Sequence, residues 1–190
     1  AEAVVYSMDR LLTMQGARST PFRGVLEVGS TEVVDDLTVK FNLSSPSGIF
    51  IQTLGFFFIV NPAVIKANTI VDTDKVYGEN GDYAEAYLQT HDAGSGPYEI
   101  ASRTLNSEVV FTAYQDYWKG WKTNQFETFR IQISGEPATA GLLVQQGVVD
   151  GIYENYPDNV FNDLATMEGA QVFTNVGTKP FYIFLNNAKA

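Results

Sequence analysis

The chain has 190 residues, of which 45% are hydrophobic, and its 22 acidic and 12 basic side chains give a net charge of −10. This length suits one large or two small domains with a substantial core. The acidic balance disfavours a nucleic-acid partner, because few cations are present to neutralise a phosphate backbone. Cysteine is absent, which excludes disulfides, a thiolate nucleophile and cysteine-ligated metal. The longest apolar run, 56–60, is too short to span a membrane and predicts a buried strand at most.

The N-terminal residues predict a helix followed by a hairpin. Apolar residues at helical spacing indicate an amphipathic helix over Glu2–Met14. In the loop that follows, Phe22 and Arg23 could present an aromatic ring and a cation. The alternation over 32–43 then predicts two strands joined at Asp35-Asp36. One face of the second strand is expected to carry Leu37, Val39, Phe41 and Leu43.

Short elements and an acidic connection follow. Ser44–Ser47 are expected to cap a short helix that ends at Leu54, and the apolar run 55–60, which contains a buried strand at most, follows it. Asn61 and Pro62 predict the N-cap and first turn of a helix that ends at Ala67. Residues 68–96 are irregular, with a short helix expected over 83–90. Their acidic residues match no calcium loop and are interpreted as a solvated connection; they are Asp72, Asp74, Glu79 and Asp82.

A second hairpin begins after Gly94-Ser95-Gly96-Pro97, where the two glycines and the proline predict a tight turn. Residues 97–103 and 108–114 are rich in aromatic and β-branched side chains and predict its strands. Tyr98 and Trp118 are interpreted as core residues. His91 is interpreted as a surface or capping residue.

The remaining residues alternate predicted strands with helices. Strands are expected over 126–133, 148–153, 170–175 and 181–186, with helices over 138–146 and 157–167. Gly147 stands where a left-handed residue closes a helix. This order favours a partly parallel sheet with helices packed on it, so the predicted fold class is α/β, with a mixed sheet of the α+β kind.

Six segments, spread from one end of the chain to the other, carry a family resemblance. They are Ala1–Arg10, Val33–Leu43, Gly94–Tyr98, Asp116–Trp118, Gln145–Ile152 and Phe184–Asn187. Together they resemble the family 5 extracellular solute-binding proteins of ABC importers, which include oligopeptide- and dipeptide-binding proteins. The family's usual threonine in the glycine motif is replaced by Ser95.

The resemblance implies a fragment of a bilobal fold similar to the type II periplasmic binding proteins. Residues 1–90 would be the peripheral subdomain of the first lobe, and residues 91–190 its ligand-bearing sheet up to the hinge. The N-terminal segment and second lobe of such proteins would lie outside this sequence. We therefore expect weak ligand binding, or none, from these residues alone.

The resemblance also implies a function and a site. The chain would belong to a non-enzymatic receptor that needs no cofactor or metal and delivers peptides to a membrane permease. Its location would be periplasmic or extracellular, in association with the membrane. Tyr153, Glu154 and Asn155 would contact the ligand at a strand end, and Tyr182 near the hinge. Glu154 replaces the amide residue of close oligopeptide binders, so it could attract a ligand amine or cation.

Several alternatives stay open. Residues 153–155 could form an ordinary strand end and turn, and Tyr182 could pack in the core beside Phe181 and Phe184. Within the family, the ligand could be an oligosaccharide, an opine or a nickel chelate. A third hypothesis is an acid hydrolase that uses Asp150 and Glu154 as a carboxylate pair, which requires both groups to face one cleft.

Overall fold

The computed structural model describes residues 1–74, 76–152 and 156–173. It divides into two compact units, Ala1–Ile133 and Ser134–Ala190, each described here by itself. Helices and antiparallel strands both occur, as the predicted mixed fold class requires. The subdomain boundary expected near residue 90 stays a prediction.

The first unit begins with helix α1, Glu2–Met14, as predicted. Its apolar side packs into a cluster of buried residues composed of Met8, Leu12, Phe22, Leu26 and Phe50. Phe22 is fully buried there, so the prediction that it presents its ring was wrong. The loop after α1 turns back through a 3-10 helix, Ala17–Ser19, and this turn directs Phe22 inward.

The first hairpin consists of β1, Thr31–Asp35, and β2, Thr38–Phe41, which pair antiparallel as predicted. Leu37 does not share a face with Val39, because it lies in the turn and is 97% exposed. Its backbone N–H donates to Asp35 Oδ1 at 2.9 Å. An aspartate that bonds the backbone two residues onward closes the turn, so the first strand residue is Thr38 and the predicted register began one residue early.

The segment after β2 departs from the sequence prediction. Helix α2 spans only Phe50–Thr53, and its N-cap, Ile49, makes no side-chain cap bond. The hydroxyl of Ser44 donates instead to the Gly24 carbonyl at 2.8 Å, so the predicted serine cap was wrong. The apolar run 55–60 forms no strand: a 3-10 helix, Leu54–Phe56, leads into irregular backbone.

Helix α3, Pro62–Ala67, opens a second cluster of buried residues. Asn61 caps it as predicted, since its side chain accepts the Ala63 N–H at 2.9 Å. The cluster contains Ile65, Tyr83, Ala84 and Ala93. The helix predicted over 83–90 was wrong, because Tyr83 and Ala84 are left-handed, with φ of 50° and 56°. Only a 3-10 turn, Tyr87–Gln89, forms there.

Asp82 explains this left-handed turn. Its carboxylate is buried and accepts three backbone N–H groups, from Ile70 at 2.8 Å, Ala84 at 2.9 Å and Ala86 at 3.2 Å. These bonds offset the conformational cost of the left-handed residues. The prediction of a solvated acidic connection was therefore wrong for Asp82, which organises the turn from inside.

A three-stranded antiparallel sheet completes the first unit. It consists of β3, Tyr98–Thr104, β4, Glu108–Ala113, and β5, Thr128–Gln132, in the order β3-β4-β5. The predicted hairpin is confirmed, and Asn106 turns it with a φ of 58°. Neither Gly94 nor Gly96 adopts the left-handed conformation, and residues 91–95 form no turn. The predicted tight glycine turn was wrong, and nothing in the structure explains the glycines.

The second unit contains α4, Pro137–Gln145, and α5, Asp158–Ala165. Gly147 follows α4 with a φ of 67°, as predicted. Residues 148–152 and 170–173 form no strand, and the described strands pair only antiparallel, so the predicted parallel pairing is not found in the described part of the chain. The strand predicted over 181–186 lies outside the described residues. No helix among the described residues is long and apolar enough to cross a bilayer.

Candidate functional site

The four residues predicted to bind ligand lie outside the described residues. Tyr153, Glu154 and Asn155 fall between 152 and 156, and Tyr182 falls after 173. Their role as a ligand site stays a prediction. The residues on either side of 153–155 are described, however, and they define the local framework.

Helix α4 precedes residues 153–155 in the chain, and helix α5 follows them. The Val148 N–H donates to the Leu143 carbonyl at 2.9 Å, which ties the chain after Gly147 back to α4. On the other side, Pro157 is the N-cap of α5. The helices approach closely at Gly141, where an added Cβ would lie 3.2 Å from Val160 Cγ1. An alanine at position 141 would press on Val160, so the close approach of the two helices favours glycine there.

The three-stranded sheet presents an aromatic face. Its register places Tyr98, Phe111 and Phe129 on the same side. The Phe111 and Phe129 rings stack with centroids 4.6 Å apart, and Tyr98 meets Phe129 edge-to-face at 4.8 Å. All three rings are only half-buried. An apolar face of this kind can receive further apolar groups of the protein or of a ligand.

Hydrogen bonds tie the strand ends to the following loop. The Tyr98 hydroxyl donates to the Phe126 carbonyl at 2.8 Å, and Trp121 Nε1 donates to the Tyr114 carbonyl at 2.8 Å. The core role predicted for Trp118 was wrong, since it is 72% exposed, with the Lys119 ammonium 4.7 Å from its ring centroid. Trp121 packs against Tyr98 instead, with ring centroids 5.2 Å apart.

A cleft of about 210 Å³ lies beside α1 and α3 in the first unit. Its walls are Tyr6, Lys66, Thr69, Val71, Glu79 and Asn80. The Lys66 ammonium stands 5.6 Å from the Tyr6 ring centroid. Burial, and then the charge of Tyr83, raise the pKa of Tyr6, although Arg10 opposes them. The Tyr6 hydroxyl therefore stays protonated at neutral pH.

The described residues include one member of the suggested carboxylate pair and no metal-binding cluster. Asp150 is exposed, and its suggested partner Glu154 lies outside the described residues, so the carboxylate pair stays a hypothesis. No group of three His, Asp or Glu side chains that could hold a metal occurs within 1–74, 76–152 and 156–173. His91 is exposed, as predicted, and stacks on Tyr87 with centroids 4.2 Å apart.

Comparison with known proteins decides the family. The sequence profile of the bacterial extracellular solute-binding proteins, family 5 Middle, matches residues 1–190. The chain belongs to this family. Family 5 members are transport binding proteins located in the periplasm or outside the cell, which confirms the resemblance found in the six segments.

One relative matches this chain over its whole length. This probable D,D-dipeptide-binding periplasmic protein of Escherichia coli is 31% identical over 192 residues, which cover 100% of this chain and 34% of the relative. The chain therefore spans about one third of the length of that relative.

Solved structures confirm the fold. The dipeptide binding protein of a Pseudoalteromonas species, in complex with Met-Leu, gives a TM-score of 0.64 at 17% identity and covers 88% of this chain and 33% of that one. MoaA of A. tumefaciens, in complex with mannopinic acid, gives 0.64 at 18% identity and covers 86% and 30%. The fold is thus that of part of a bilobal type II periplasmic binding protein.

Proposed function

We propose that this chain forms part of the solute-binding component of an ABC importer that binds di- or oligopeptides and delivers them to a membrane permease. The complete protein closes two lobes around its ligand, and ligand contacts stabilise the closed state. It acts in the periplasm or outside the cell, in association with the membrane, and catalyses no reaction.

The observation that carries this proposal is the family match over all 190 residues. The 31% identical relative, named for D,D-dipeptide binding, supports a peptide as the ligand. The aromatic face of the sheet is only half-buried. A partly exposed apolar face is typical of a surface that contacts another group, which agrees with this role.

We place the ligand contacts at Tyr153, Glu154, Asn155 and Tyr182. An extended peptide is bound by main-chain hydrogen bonds to a strand end, and a carboxylate beside it can pair with the ligand's amino terminus. Glu154→Gln in the full-length protein should therefore weaken binding of a dipeptide about tenfold or more, measured by isothermal titration. Glu168→Gln, an exposed control after α5, should leave the affinity unchanged. Equal affinities for the two variants would contradict the role of Glu154.

The second candidate is a non-peptide ligand, because the structural neighbour MoaA was solved with mannopinic acid. A thermal-shift screen of the full-length protein separates the candidates. It should contain dipeptides, tetrapeptides, an opine, a chitooligosaccharide and a nickel–histidine chelate. Peptides alone should raise the melting temperature; a shift given only by another class would replace the peptide proposal by that class.

The 190 residues by themselves should bind peptide weakly or not at all, since the relative is about three times as long and the remainder would supply further contacts. Isothermal titration of the isolated chain with the peptide that stabilises the full-length protein tests this. Binding within tenfold of the full-length affinity would contradict it.

A further inference from the structure

Asn80-Gly81 is the one Asn-Gly pair in the sequence. The side-chain amide of an asparagine is chemically labile, because the backbone nitrogen of the next residue can attack its Cγ atom. A glycine in that next position has no side chain to hinder the attack and lets the backbone bend towards the amide. In an unfolded chain, Asn80 is therefore the asparagine expected to lose its amide fastest.

This reaction consumes only water. The Gly81 nitrogen forms a bond to Asn80 Cγ, the Cγ–Nδ2 bond breaks, and the proton of the Gly81 N–H leaves with Nδ2 as ammonia. Water then opens the resulting cyclic succinimide at either of its carbonyl groups. One product is aspartate, and the other is isoaspartate, in which the main chain runs through the former side-chain carbonyl and is longer by one methylene group. No electrons are gained or lost.

The fold holds Gly81 away from this reaction. Its N–H donates to the Gly78 carbonyl at 3.3 Å, and its carbonyl accepts the Tyr77 N–H at 2.7 Å. The residue is buried, and its Cα lies so close to Ile70 that an added Cβ would stand 2.4 Å from the Ile70 carbonyl oxygen. The nitrogen that would attack Asn80 is therefore bonded elsewhere and cannot turn freely.

The backbone of Asn80 also has the wrong conformation for ring closure. Asn80 is the last residue of a 3-10 helix, Gly78–Asn80. In such a helix the N–H of the following residue points back to a carbonyl three residues earlier, and not towards the Cγ atom of its neighbour. Ring closure requires rotation about ψ of Asn80. This rotation would also break the bond of 3.0 Å that the Tyr83 N–H donates to the Asn80 carbonyl.

Asp82 holds the turn in place directly after Gly81. Its Oδ1 accepts the Ile70 N–H at 2.8 Å, and its own N–H donates to the Ile70 carbonyl at 2.8 Å. The same carboxylate accepts the N–H groups of Ala84 and Ala86. Gly81 cannot rotate while these bonds are made, so the Asp82 carboxylate controls how often the Asn80-Gly81 peptide is free to react.

We propose that Asn80 is a deamidation site that the folded turn protects, and that the Asp82 carboxylate is the group that maintains this protection. Chains that unfold lose the protection. Those that form isoaspartate at position 80 do not rebuild the turn, because the added methylene group displaces Gly81 from its place beside Ile70. None of these residues belongs to the proposed ligand site, so the inference is independent of the proposed function.

Incubation of the full-length protein at mildly alkaline pH, with and without urea at an unfolding concentration, tests the protection. Peptide mapping by mass spectrometry follows deamidation at Asn80. A synthetic peptide of residues 76–86 corrects for the effect of urea on the chemistry. Deamidation should be at least about tenfold faster in the unfolded protein, because the reaction tracks the population of the open turn. A smaller difference would overturn the proposal.

Asp82→Ala tests the role of the carboxylate. The folded variant should deamidate at Asn80 about tenfold faster than the original protein, because three backbone N–H groups lose their acceptor. Phe22→Leu, which weakens the other buried cluster, is the control, with urea added until both variants have the same free energy of unfolding. An acceleration no greater than that of Phe22→Leu would overturn the role of Asp82. If Asp82→Ala does not fold, Asp82→Asn, which keeps one acceptor oxygen, takes its place.

Refolding of the deamidated protein tests the consequence for the turn. After incubation in urea, the protein is returned to buffer, and size-exclusion chromatography separates the folded fraction from the misfolded fraction. The folded fraction should be depleted in isoaspartate at position 80, but not in aspartate there, because aspartate keeps the length of the main chain. Equal proportions of isoaspartate in the two fractions would overturn the proposed block to refolding.

Discussion

Residues 1–93 and the three-stranded sheet of residues 98–133 belong to one compact unit, but they are stabilised differently. Both clusters of buried apolar residues lie entirely within the first region. In the sheet, Ala113 is the only apolar residue described as buried. Its three aromatic rings, Tyr98, Phe111 and Phe129, are half-buried and contact mainly each other. The first region has its own core, whereas the sheet is held by its ladder and by ring contacts.

This difference indicates that residues 1–93 act as a scaffold and that the sheet provides a contact surface. Apolar burial supplies most of the free energy of folding, so the region with closed clusters should carry most of the stability. An apolar sheet face that is left partly open is typical of a surface that receives another group. The predictions below test this contrast.

The largest expected effect comes from matched phenylalanine truncations. Phe22→Ala removes a fully buried ring from the first cluster and should lower the free energy of unfolding by about 3–5 kcal/mol. Phe129→Ala removes a half-buried ring and should cost about 1–2 kcal/mol. Urea unfolding of both variants measures the difference, with Phe126→Ala, 75% exposed, as the control. Equal losses of unfolding free energy in Phe22→Ala and Phe129→Ala would contradict the proposed difference between the two regions.

Asp82 tests whether the first region also depends on buried polar groups. Asp82→Ala leaves three backbone N–H groups without their acceptor and should lower the free energy of unfolding by about 2–3 kcal/mol. Burial alone would raise the pKa of this carboxyl, but the backbone hydrogen bonds from Ile70, Ala86 and Ala84 outweigh it and leave the pKa lowered.

The sign of the pH dependence follows from the lowered pKa. Between the folded pKa and the ordinary aspartate value, about 3.9, the unfolded chain binds more protons than the folded chain, so stability rises with pH. The contribution of Asp82 is fully present above the ordinary value and is lost as the pH falls through the folded value. When the free energy of unfolding is measured from pH 2 to 7, it should fall less steeply towards low pH in Asp82→Asn than in the original chain. If the loss of stability at low pH were the same in both proteins, other carboxyl groups would be responsible for it.

Tyr98→Phe probes the hydrogen bonds of the sheet. The substitution removes the hydroxyl that bonds to the Phe126 carbonyl at 2.8 Å but keeps the ring contacts. The bond is solvent-exposed, so the loss should be about 0.5–1 kcal/mol by thermal unfolding. Tyr114→Phe, whose ring is 43% exposed, serves as the control. A loss above that of Phe129→Ala would show that hydrogen bonds, and not ring contacts, hold the strand ends.

The smallest effect concerns the two predicted helix caps. Asn61→Ala removes the acceptor of the Ala63 N–H and should cost about 0.5–1 kcal/mol. Ser47→Ala should change the stability by less than about 0.3 kcal/mol, because no serine side chain caps α2. Chemical unfolding of both variants measures the contrast, and equal losses would mean that the sequence-based cap at Ser47 forms in solution.

The elements that the sequence predicted correctly depend on contacts between near neighbours. The apolar spacing of α1, the Asn61-Pro62 start of α3 and the Gly147 end of α4 are each determined by a few adjacent residues. The hairpin of β3 and β4 likewise follows from alternation and a polar turn. Such signals act at short range and survive in almost any tertiary context.

The elements that were missed depend on distant partners. Residues 83–90 read as a helix, yet the Asp82 carboxylate binds the backbone of Ile70, twelve residues away, and holds Tyr83 and Ala84 left-handed. Phe22 reads as a loop aromatic but packs under α1. Trp118 was predicted to lie in the core but is exposed, because spacing alone does not show that the other indole, Trp121, reaches the Tyr114 carbonyl. The ligand residues 153–155 and 182 depended on the family resemblance and stay a prediction.

Gly81 limits the substitutions that this chain can tolerate. Its φ is 51°, and an added Cβ would lie 2.4 Å from the Ile70 carbonyl oxygen, a backbone atom that cannot rotate away. Both the conformation and the space therefore exclude every side chain. In a library randomised at position 81 and selected for folded protein, glycine alone should be recovered, while Gly94 and Gly96, which have open surroundings, should accept alanine. A glycine that cannot be replaced would then lie outside the glycine motif that contributes to the family resemblance.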